Sequence, residues 1–255
     1  TLTAYGFGLA IADYDNDGDP DVFLTTLPEN RLFRNDDAIF ADVGAASGLA
    51  GTEEWSTSAL FFDADGDGWL DLYVGNYVPW SPETDRWCTA DGRTKDYCTP
   101  HQYEGAPARF YRNNRDGTFS DRTQQAGLGG SPGKTLGVAE LDFNRDGWPD
   151  VVVANDVQRN LLYRNDGAGT FTEVGVRAGV AFDPDGRTRA GMGVDVGVVD
   201  RSGEPTVFVG NFSEEMVGVY RHTGGGLFVD RSTASTIGAA TLSVLTFGVL
   251  LVDVD

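Results

Sequence analysis

A nine-residue aspartate loop recurs along the chain and constrains the fold more than any other feature. The copies read DYDNDGDPD from Asp13 (loop 1), DADGDGWLD from Asp63 (loop 2) and DFNRDGWPD from Asp142 (loop 3). All three fit the pattern D-x-[DN]-x-D-G-x-x-D, and each lies between two apolar, strand-like runs. Carboxylates placed this close repel one another unless a cation lies among them, so the loops predict bound metal.

The repetition extends beyond the loops to a third and a fourth segment. The third segments read RLFRND, RFYRNN and LLYRND, and a turn then leads to AIFADV, GTFSDR and GTFTEV. Four short strands joined by Gly- and Asp-rich turns form an antiparallel sheet, the unit from which propellers are assembled. The sequence therefore predicts an all-β fold, a β-propeller of four-stranded blades with calcium-binding loops.

A fourth copy is eroded, and a fifth is only begun. In the fourth copy (loop 4), Val198, Ser202 and Thr206 stand where the other loops have aspartate, and Asp200 remains. The run from Leu242 to Val252 predicts the buried first strand of a fifth copy. A first strand without its three partners cannot complete a sheet. The chain is thus expected to be an arc of a longer propeller. The predicted units are blade 1 at about 1–51, blade 2 at about 55–130 with an insert at 79–107, blade 3 at about 135–182, blade 4 at about 190–235 and the start of blade 5 at about 238–255.

The loop chemistry favours Ca²⁺, which takes six to eight oxygen ligands at about 2.3–2.6 Å. Mg²⁺ is disfavoured because it keeps its waters and strict octahedral geometry, and a solvated acidic turn without metal is the alternative. The last carboxylate comes at position 9 rather than 12 and the flanks are strand-like, which excludes an EF-hand. The candidate ligands are Asp13, Asp15, Asp17, Asp19 and Asp21 in loop 1, Asp63, Asp65, Asp67, Trp69 and Asp71 in loop 2, and Asp142, Asn144, Asp146, Trp148 and Asp150 in loop 3.

We expect Asp19, Trp69 and Trp148 to contribute backbone carbonyl oxygens and the others their side chains. This predicts about three calcium ions, one in each intact loop, and Asp253 with Asp255 would begin a fourth site where the chain continues. Because the loops recur once per blade at a hairpin turn, the ions are expected to stabilise the fold rather than to catalyse.

The combination of loop, strand and turn phrases resembles the FG-GAP or VCBS repeat, known from integrin alpha-subunit propellers. The phrases LFRND, FYRNNRDGTF and LLYRNDGAGTF, with the insert ending YCTPHQYEG, are more narrowly similar to the cartilage acidic protein (ASPIC/UnbV-type) group. The resemblance implies a calcium-stabilised propeller of about seven blades that is usually extracellular and serves adhesion or scaffolding. Loop 4 departs from the pattern, and no calcium is expected there.

Charge and cysteine content restrict the partners and the compartment. The 39 Asp and Glu outnumber the 19 Lys and Arg, and the formal charge of -20 repels phosphate backbones, which excludes nucleic acid. No apolar run is long enough for a membrane span. Cys88 and Cys98 predict a disulfide in an oxidising compartment, because only His101 is near enough to support a zinc site. The protein is therefore expected to be extracellular, cell-surface or periplasmic.

The insert at 79–107 carries the candidate partner-binding residues. Because successive hairpin turns alternate between the two ends of a blade, the insert is expected on the face opposite the calcium loops. Long loops that carry aromatic residues often bind partners, and the alternative is a small satellite core around the disulfide. The candidates for binding a protein or a glycan are Trp80, Trp87, Tyr97, His101 and Tyr103. One arginine recurs in the third strands, and we expect a structural ion pair for each of Arg34, Arg112, Arg164 and Arg221.

The predicted function is a non-catalytic interaction, adhesion or scaffold module, alone or as a subunit of a larger assembly. His101 and His222 belong to unrelated segments and no G-x-S-x-G motif is present, so no catalytic residue is predicted. The alternative is a calcium-dependent carbohydrate-active enzyme or a lectin-like glycan binder. A deep pocket with an acidic residue on the face away from the loops would favour that alternative, and the acids to examine are Glu53, Glu54, Glu104 and Glu214.

Overall fold

The computed structural model describes residues 4–51 and 53–254. Within them, the strands form four antiparallel sheets of four strands each, in consecutive order. The first sheet contains β1 (Tyr5–Ala12), β2 (Asp21–Leu27), β3 (Arg31–Asp36) and β4 (Ile39–Asp42). The second contains β5 (Ser56–Phe62), β6 (Asp71–Asn76), β7 (Arg109–Asn113) and β8 (Phe119–Asp121).

The third and fourth sheets repeat this arrangement. The third contains β9 (Thr135–Leu141), β10 (Asp150–Asn155), β11 (Leu161–Asn165) and β12 (Phe171–Glu173). The fourth contains β13 (Gly191–Gly197), β14 (Thr206–Asn211), β15 (Gly218–His222) and β16 (Phe228–Asp230). The described helices are short, and they are α1 (Gly175–Ala178), α2 (Thr236–Thr241) and 3-10 turns at Pro100–Gln102 and Ser232–Ala234. The predicted all-β architecture, an arc of propeller blades, is confirmed.

The first strand of each sheet lies against the first strand of the next. β1 contacts β5, β5 contacts β9 and β9 contacts β13, so these strands form the inner edge of the arc. Backbones approach closely here: a Cβ atom added to Gly137 would come within 2.8 Å of the Gly193 Cα atom. Glycine is therefore required where inner strands meet.

The hydrophobic cores lie between adjacent sheets, because successive residues of a strand point to opposite faces. In β5, Phe61 faces the first sheet and packs edge-on against Phe23, with ring centroids 6.3 Å apart. The next residue, Phe62, faces the third sheet and packs against Phe171 at 6.0 Å. A continuous apolar strand therefore buries both of its faces between neighbouring blades.

The strand predicted over residues 242–252 does not form, and that prediction is wrong. Within the described residues, no second strand lies beyond this segment to share a hydrogen-bonded ladder with it. The segment instead lies against the fourth sheet: Thr246 N donates to Asn211 O at 3.1 Å, and Val249 and Leu251 pack against the buried cluster that contains Phe208. The aspartate at position 255 lies outside the described residues. Neither short helix approaches the length or the hydropathy of a membrane-spanning segment.

Candidate functional site

The three intact loops are closed by their own aspartates in the same way. In loop 2, Asp63 accepts hydrogen bonds from the backbone N–H groups of Asp67 at 3.0 Å and Gly68 at 2.9 Å. Asp67 in turn accepts from Trp69 N at 2.9 Å. The same three bonds recur in loops 1 and 3 with lengths of 2.9–3.2 Å. Gly68 has a φ of 83°, which explains the glycine at this position of the motif.

The last aspartate of each loop fastens it to the third strand. Asp71 is 3 % exposed, and its carboxylate accepts from Asn113 N at 2.9 Å and from Ala64 N at 3.3 Å. Asp21 and Asp150 make equivalent pairs of bonds. Burial raises the pKa of Asp71 to about 7, against the effect of these two donors. The negative charge of this carboxylate is thus costly unless a cation lies nearby.

The third-position aspartates carry the only loop oxygens, among the described residues, that are buried without a hydrogen-bond partner. These atoms are Oδ1 of Asp15 and Oδ1 of Asp65, and the Asp65 side chain is only 9 % exposed. Ligand oxygens lie within 4.8 Å of one another in two acidic groups, which are Asp13, Asp15 and Asp21 in loop 1 and Asp63, Asp65 and Asp67 in loop 2. A buried carboxylate oxygen without a donor, inside such a group, fits a hard cation such as Ca²⁺.

Arginine side chains already supply part of the positive charge at loop 2. Arg112 Nη2 forms an ion pair with Asp65 and lies 3.3 Å from Asp67 Oδ2, and Arg115 also pairs with Asp67. A metal ion in loop 2 would therefore share its carboxylates with two guanidinium groups.

Loop 3 has asparagine at the third position, and its geometry differs. Asn144 Nδ2 donates to Asp146 Oδ2 at 2.7 Å, while Asn144 Oδ1 accepts from Asp146 N at 3.2 Å. The acidic groups that the structure brings together in its described part therefore include loops 1 and 2 but not loop 3. Loop 3 keeps three carboxylates and an amide oxygen, all of which are ligand types that calcium accepts.

Loop 4 keeps few carboxylates, and arginines from outside the loop pair with the acids that remain there. Arg221 pairs with Asp200, the aspartate that loop 4 retains from the repeated motif. Arg145 reaches across from loop 3 and lies 2.9 Å from Glu204 Oε1, and Glu204 also contacts the buried His222. The structural role predicted for the recurring arginines is confirmed, because Arg34 and Arg164 also pair with aspartates, at 2.8 and 2.6 Å.

Buried asparagines connect loop 2 to loop 1 and loop 3 to loop 2. Asn113 Nδ2 donates to Leu70 O at 3.0 Å in its own blade and to Tyr14 O at 2.9 Å in the blade before. Asn165 makes the corresponding bonds in the next blade. Sequence reasoning missed this function, although the asparagine of the recurring RND and RNN phrases was a signal for it. Loops 1, 2 and 3 are therefore joined by hydrogen bonds from one blade to the next.

The insert contains the predicted disulfide between Cys88 and Cys98. Trp80 packs edge-on against Trp55 with centroids 5.8 Å apart, and Arg86 lies over the ring of Tyr103 at 5.2 Å. Trp80, Arg86 and Tyr103 of the insert are thus held by contacts with neighbouring side chains. The candidate aromatics Trp87 and Tyr97 are instead 67 % and 96 % exposed.

A cavity of about 560 Å³ opens at the end of the strands away from the aspartate loops. It lies where inner strands begin and second strands end, and its lining includes Phe7, Trp55, Tyr77, His101, Asp156 and Phe212. Tyr77 Oη donates to Asp156 Oδ2 at 2.5 Å. Sequence reasoning missed the cavity except for His101. A signal was present, because Tyr77, Asp156 and Phe212 each directly follow the second strand of their blade. Its acid is Asp156 rather than Glu53, Glu54, Glu104 or Glu214, and Glu54 pairs with Arg109 at 2.6 Å.

Comparisons with solved structures find several similar proteins at low identity. A lectin from Agrocybe aegerita that recognises non-reducing terminal N-acetylglucosamine is 18% identical, with a TM-score of 0.44 over 87% of this chain and 50% of that one. The exotype rhamnogalacturonan lyase YesX is 14% identical, with a TM-score of 0.44 over 89% and 48% of the two chains. The rhamnogalacturonan lyase YesW is 11% identical, with a TM-score of 0.45 over 86% and 47%. The chain spans about half the length of these structures.

Comparison with curated proteins finds no match. A family model described as the FG-GAP-like repeat matches residues 4–74, 90–153 and 142–200. These segments contain the three intact loops and all or most of each strand on either side of them. Because the match covers most of the chain, the protein belongs to the FG-GAP-like repeat family.

Proposed function

We propose that the chain is a calcium-binding propeller segment that works outside the cell, without catalysis, as a protein-interaction, adhesion or scaffold module. The observation that carries this proposal is the buried, unpartnered Oδ1 atom of Asp15 and of Asp65. Each atom belongs to a group of carboxylates whose ligand oxygens lie within 4.8 Å of one another. Loops 1, 2 and 3 each bind one Ca²⁺ through the ligands predicted from the sequence.

In this proposal the calcium ions stabilise the fold and take no part in catalysis. They sit at the turn between the first and second strands of a blade, and the buried asparagines link these turns from blade to blade. The formal charge of -20 also opposes a compact fold, and bound divalent cations reduce that repulsion. Calcium is therefore expected to stabilise the whole arc.

The face away from the loops is the recognition surface in this proposal. The disulfide closes a loop that contains Tyr97, and Trp87 directly precedes its first cysteine, which limits how far the two exposed rings can move. Exposed aromatic residues on a restrained loop lose little conformational entropy when a partner binds them. A disulfide is typical of oxidising compartments, which supports an extracellular, cell-surface or periplasmic location. The narrower kinship with the cartilage acidic protein group stays a prediction.

Calcium titration of metal-stripped protein tests the metal assignment. Isothermal calorimetry is expected to give about three ions per chain, and Asp65→Asn is expected to remove one of them. Asp200→Asn, a matched change in loop 4, should leave the stoichiometry unaltered. Calcium at 100 times its Kd would stabilise the fold by about 2.7 kcal/mol per site, so EDTA should lower the melting temperature. An unchanged melting curve in EDTA at low salt would contradict the structural role.

Substitution of the exposed aromatics tests the recognition surface. Trp87→Ala combined with Tyr97→Ala should abolish binding to the partners found on an array of extracellular proteins and glycans, because buried aromatic anchors dominate interface energies. Ile39→Ala removes an equally exposed apolar side chain from the first sheet and should leave binding intact. Unchanged binding by the double variant would rule out this surface.

A carbohydrate-active or lectin-like function is the second candidate, and the acid in the aromatic cavity favours it. Asp156 and His101 both line the cavity, and similar folds include an N-acetylglucosamine-binding lectin and rhamnogalacturonan lyases. Glycoside hydrolysis generally uses two carboxylates, whereas the described lining includes one. Loss of activity on rhamnogalacturonan, or of N-acetylglucosamine binding, in Asp156→Asn would support this candidate.

A further inference from the structure

The cavity away from the aspartate loops is lined by aromatic side chains and one buried carboxylate. Most of its lining is apolar, and aromatic rings come from three separate blades and from the segment after α2: Phe7, Trp55, Tyr77, Phe212 and Phe247. Its volume of about 560 Å³ lies within the range of small-molecule sites. A ligand that fills it must therefore have an apolar body.

The aromatic wall is held in place by ring-to-ring contacts. Trp55 packs edge-on against Tyr77 at 5.3 Å and against Trp80 at 5.8 Å, and Phe7 packs against Trp55 at 5.5 Å. Such contacts limit rotation of the rings, so the wall exists before a ligand arrives. A preformed wall reduces the entropy that binding costs.

One buried carboxylate interrupts this apolar lining. Asp156 is 4 % exposed, and its described hydrogen-bond donor is Tyr77 Oη at 2.5 Å. Among the residues that the structure describes, no cationic nitrogen lies within 4.0 Å of this carboxylate, although Lys134 and His101 act on it from farther away. Buried charges in proteins are normally paired, and this one lacks a cation in contact.

We propose that this cavity binds a compact organic cation, an alkylammonium or quaternary ammonium group attached to an apolar body. The positive nitrogen pairs with Asp156 while the aromatic rings contact the alkyl groups around it. Aromatic faces attract cations, Trp most strongly, and such rings recognise quaternary ammonium groups in other proteins. The net charge of -20 also draws cations toward the protein.

Other ligand classes fit the cavity less well. A sugar needs several hydrogen-bonding groups for its hydroxyls, whereas the polar side chains at the described wall are few. An anionic ligand would face the Asp156 carboxylate at close range. A neutral apolar ligand would leave that buried charge without a partner. The inference goes beyond the proposed function, because the cavity is separate from the exposed Trp87 and Tyr97 surface.

The test uses benzyltrimethylammonium as the probe and calorimetry of the calcium-loaded protein as the measurement. Asp156→Asn keeps the shape of the side chain and an acceptor for Tyr77 while removing the charge, and should weaken binding at least about tenfold. Phe212→Ala truncates a ring that is 48 % exposed, so the fold tolerates it, and should weaken binding about threefold. The matched controls are Asp185→Asn and Phe40→Ala, which alter an exposed carboxylate and an exposed ring elsewhere, and both should bind as the parent does.

Charge dependence is tested with choline and its neutral isostere 3,3-dimethylbutan-1-ol. Choline is expected to bind at least about tenfold more tightly. Equal affinity for the two, unchanged binding by Asp156→Asn, or N-acetylglucosamine binding more tightly than either would overturn the proposal. A peptide bearing trimethyllysine separates two sources of the cation: tighter binding of the peptide than of choline assigns it to a protein partner, and the reverse to a free metabolite. Calcium stoichiometry measured on the same variants keeps a failure of this proposal distinct from a failure of the metal assignment.

Discussion

Replacing Asn165 with alanine removes three hydrogen bonds from a fully buried side chain. Its Nδ2 atom donates to Ala64 O in the preceding blade at 2.8 Å and to Pro149 O in its own blade at 3.2 Å. Its Oδ1 atom accepts from Gly167 N at 2.9 Å. The side chain is 0 % exposed, so water does not reach it in the folded protein. The substitution therefore breaks a connection between two of the aspartate loops.

The expected loss of stability follows from the groups left without partners. A buried polar group that loses its partner costs about 1–3 kcal/mol, and the two carbonyl oxygens of Ala64 and Pro149 are both left without this donor. The N–H of Gly167 belongs to a turn, where water replaces the lost acceptor at little cost. We therefore expect Asn165→Ala to lower the free energy of unfolding by about 3–5 kcal/mol.

Urea unfolding in saturating calcium, followed by tryptophan fluorescence and circular dichroism, measures this loss. Asn165→Asp keeps an acceptor for Gly167 but places a carboxylate against two carbonyl oxygens, so it should be at least as damaging as alanine. Asn114→Ala alters an exposed asparagine next to the corresponding turn of the second blade and should change stability by less than about 0.5 kcal/mol. A loss below about 1 kcal/mol for Asn165→Ala would refute the reasoning.

Three further perturbations test other parts of the structure. Replacing Cys88 and Cys98 with serine should destabilise the insert by about 3 kcal/mol while the four sheets keep their circular dichroism spectrum, and loss of that spectrum would show that the insert holds the blades together. Aspartate at the three eroded positions of loop 4 should raise the calcium stoichiometry from about three to about four in calorimetry, and an unchanged value would show that the local arginines exclude the ion. Burial raises the pKa of Asp156 in the folded state, so its contribution to stability falls as pH rises above the unfolded pKa of about 3.9. Asp156→Asn should therefore be more stable than the parent at pH 7 and differ little from it at pH 3 in urea unfolding, and the opposite order would contradict this sign.

Local pattern was sufficient for the sheets and for the internal structure of the loops. The apolar run that includes Phe61 and Phe62 predicts a strand, and the structure shows that these two residues face different cores. The glycine at the sixth loop position has the positive φ of a left-handed turn. The segment at 242–252 shows the limit of such patterns. Its apolar residues are those of a strand, but a strand forms only where a neighbour completes its hydrogen bonds, and local composition carries no information about that neighbour.

The repeat, its four strand-like segments and the residue types at each loop were predictable from the sequence, because they depend on neighbours a few positions away. How the blades are joined and where the cavity lies depend on contacts between residues that are far apart in the chain. Asn165 and Ala64 are 101 positions apart, and Tyr77 and Asp156 are 79 apart, yet each pair is hydrogen-bonded. These contacts arise from the packing of one blade on the next, since separate loops converge only after the sheets have stacked around a common inner edge.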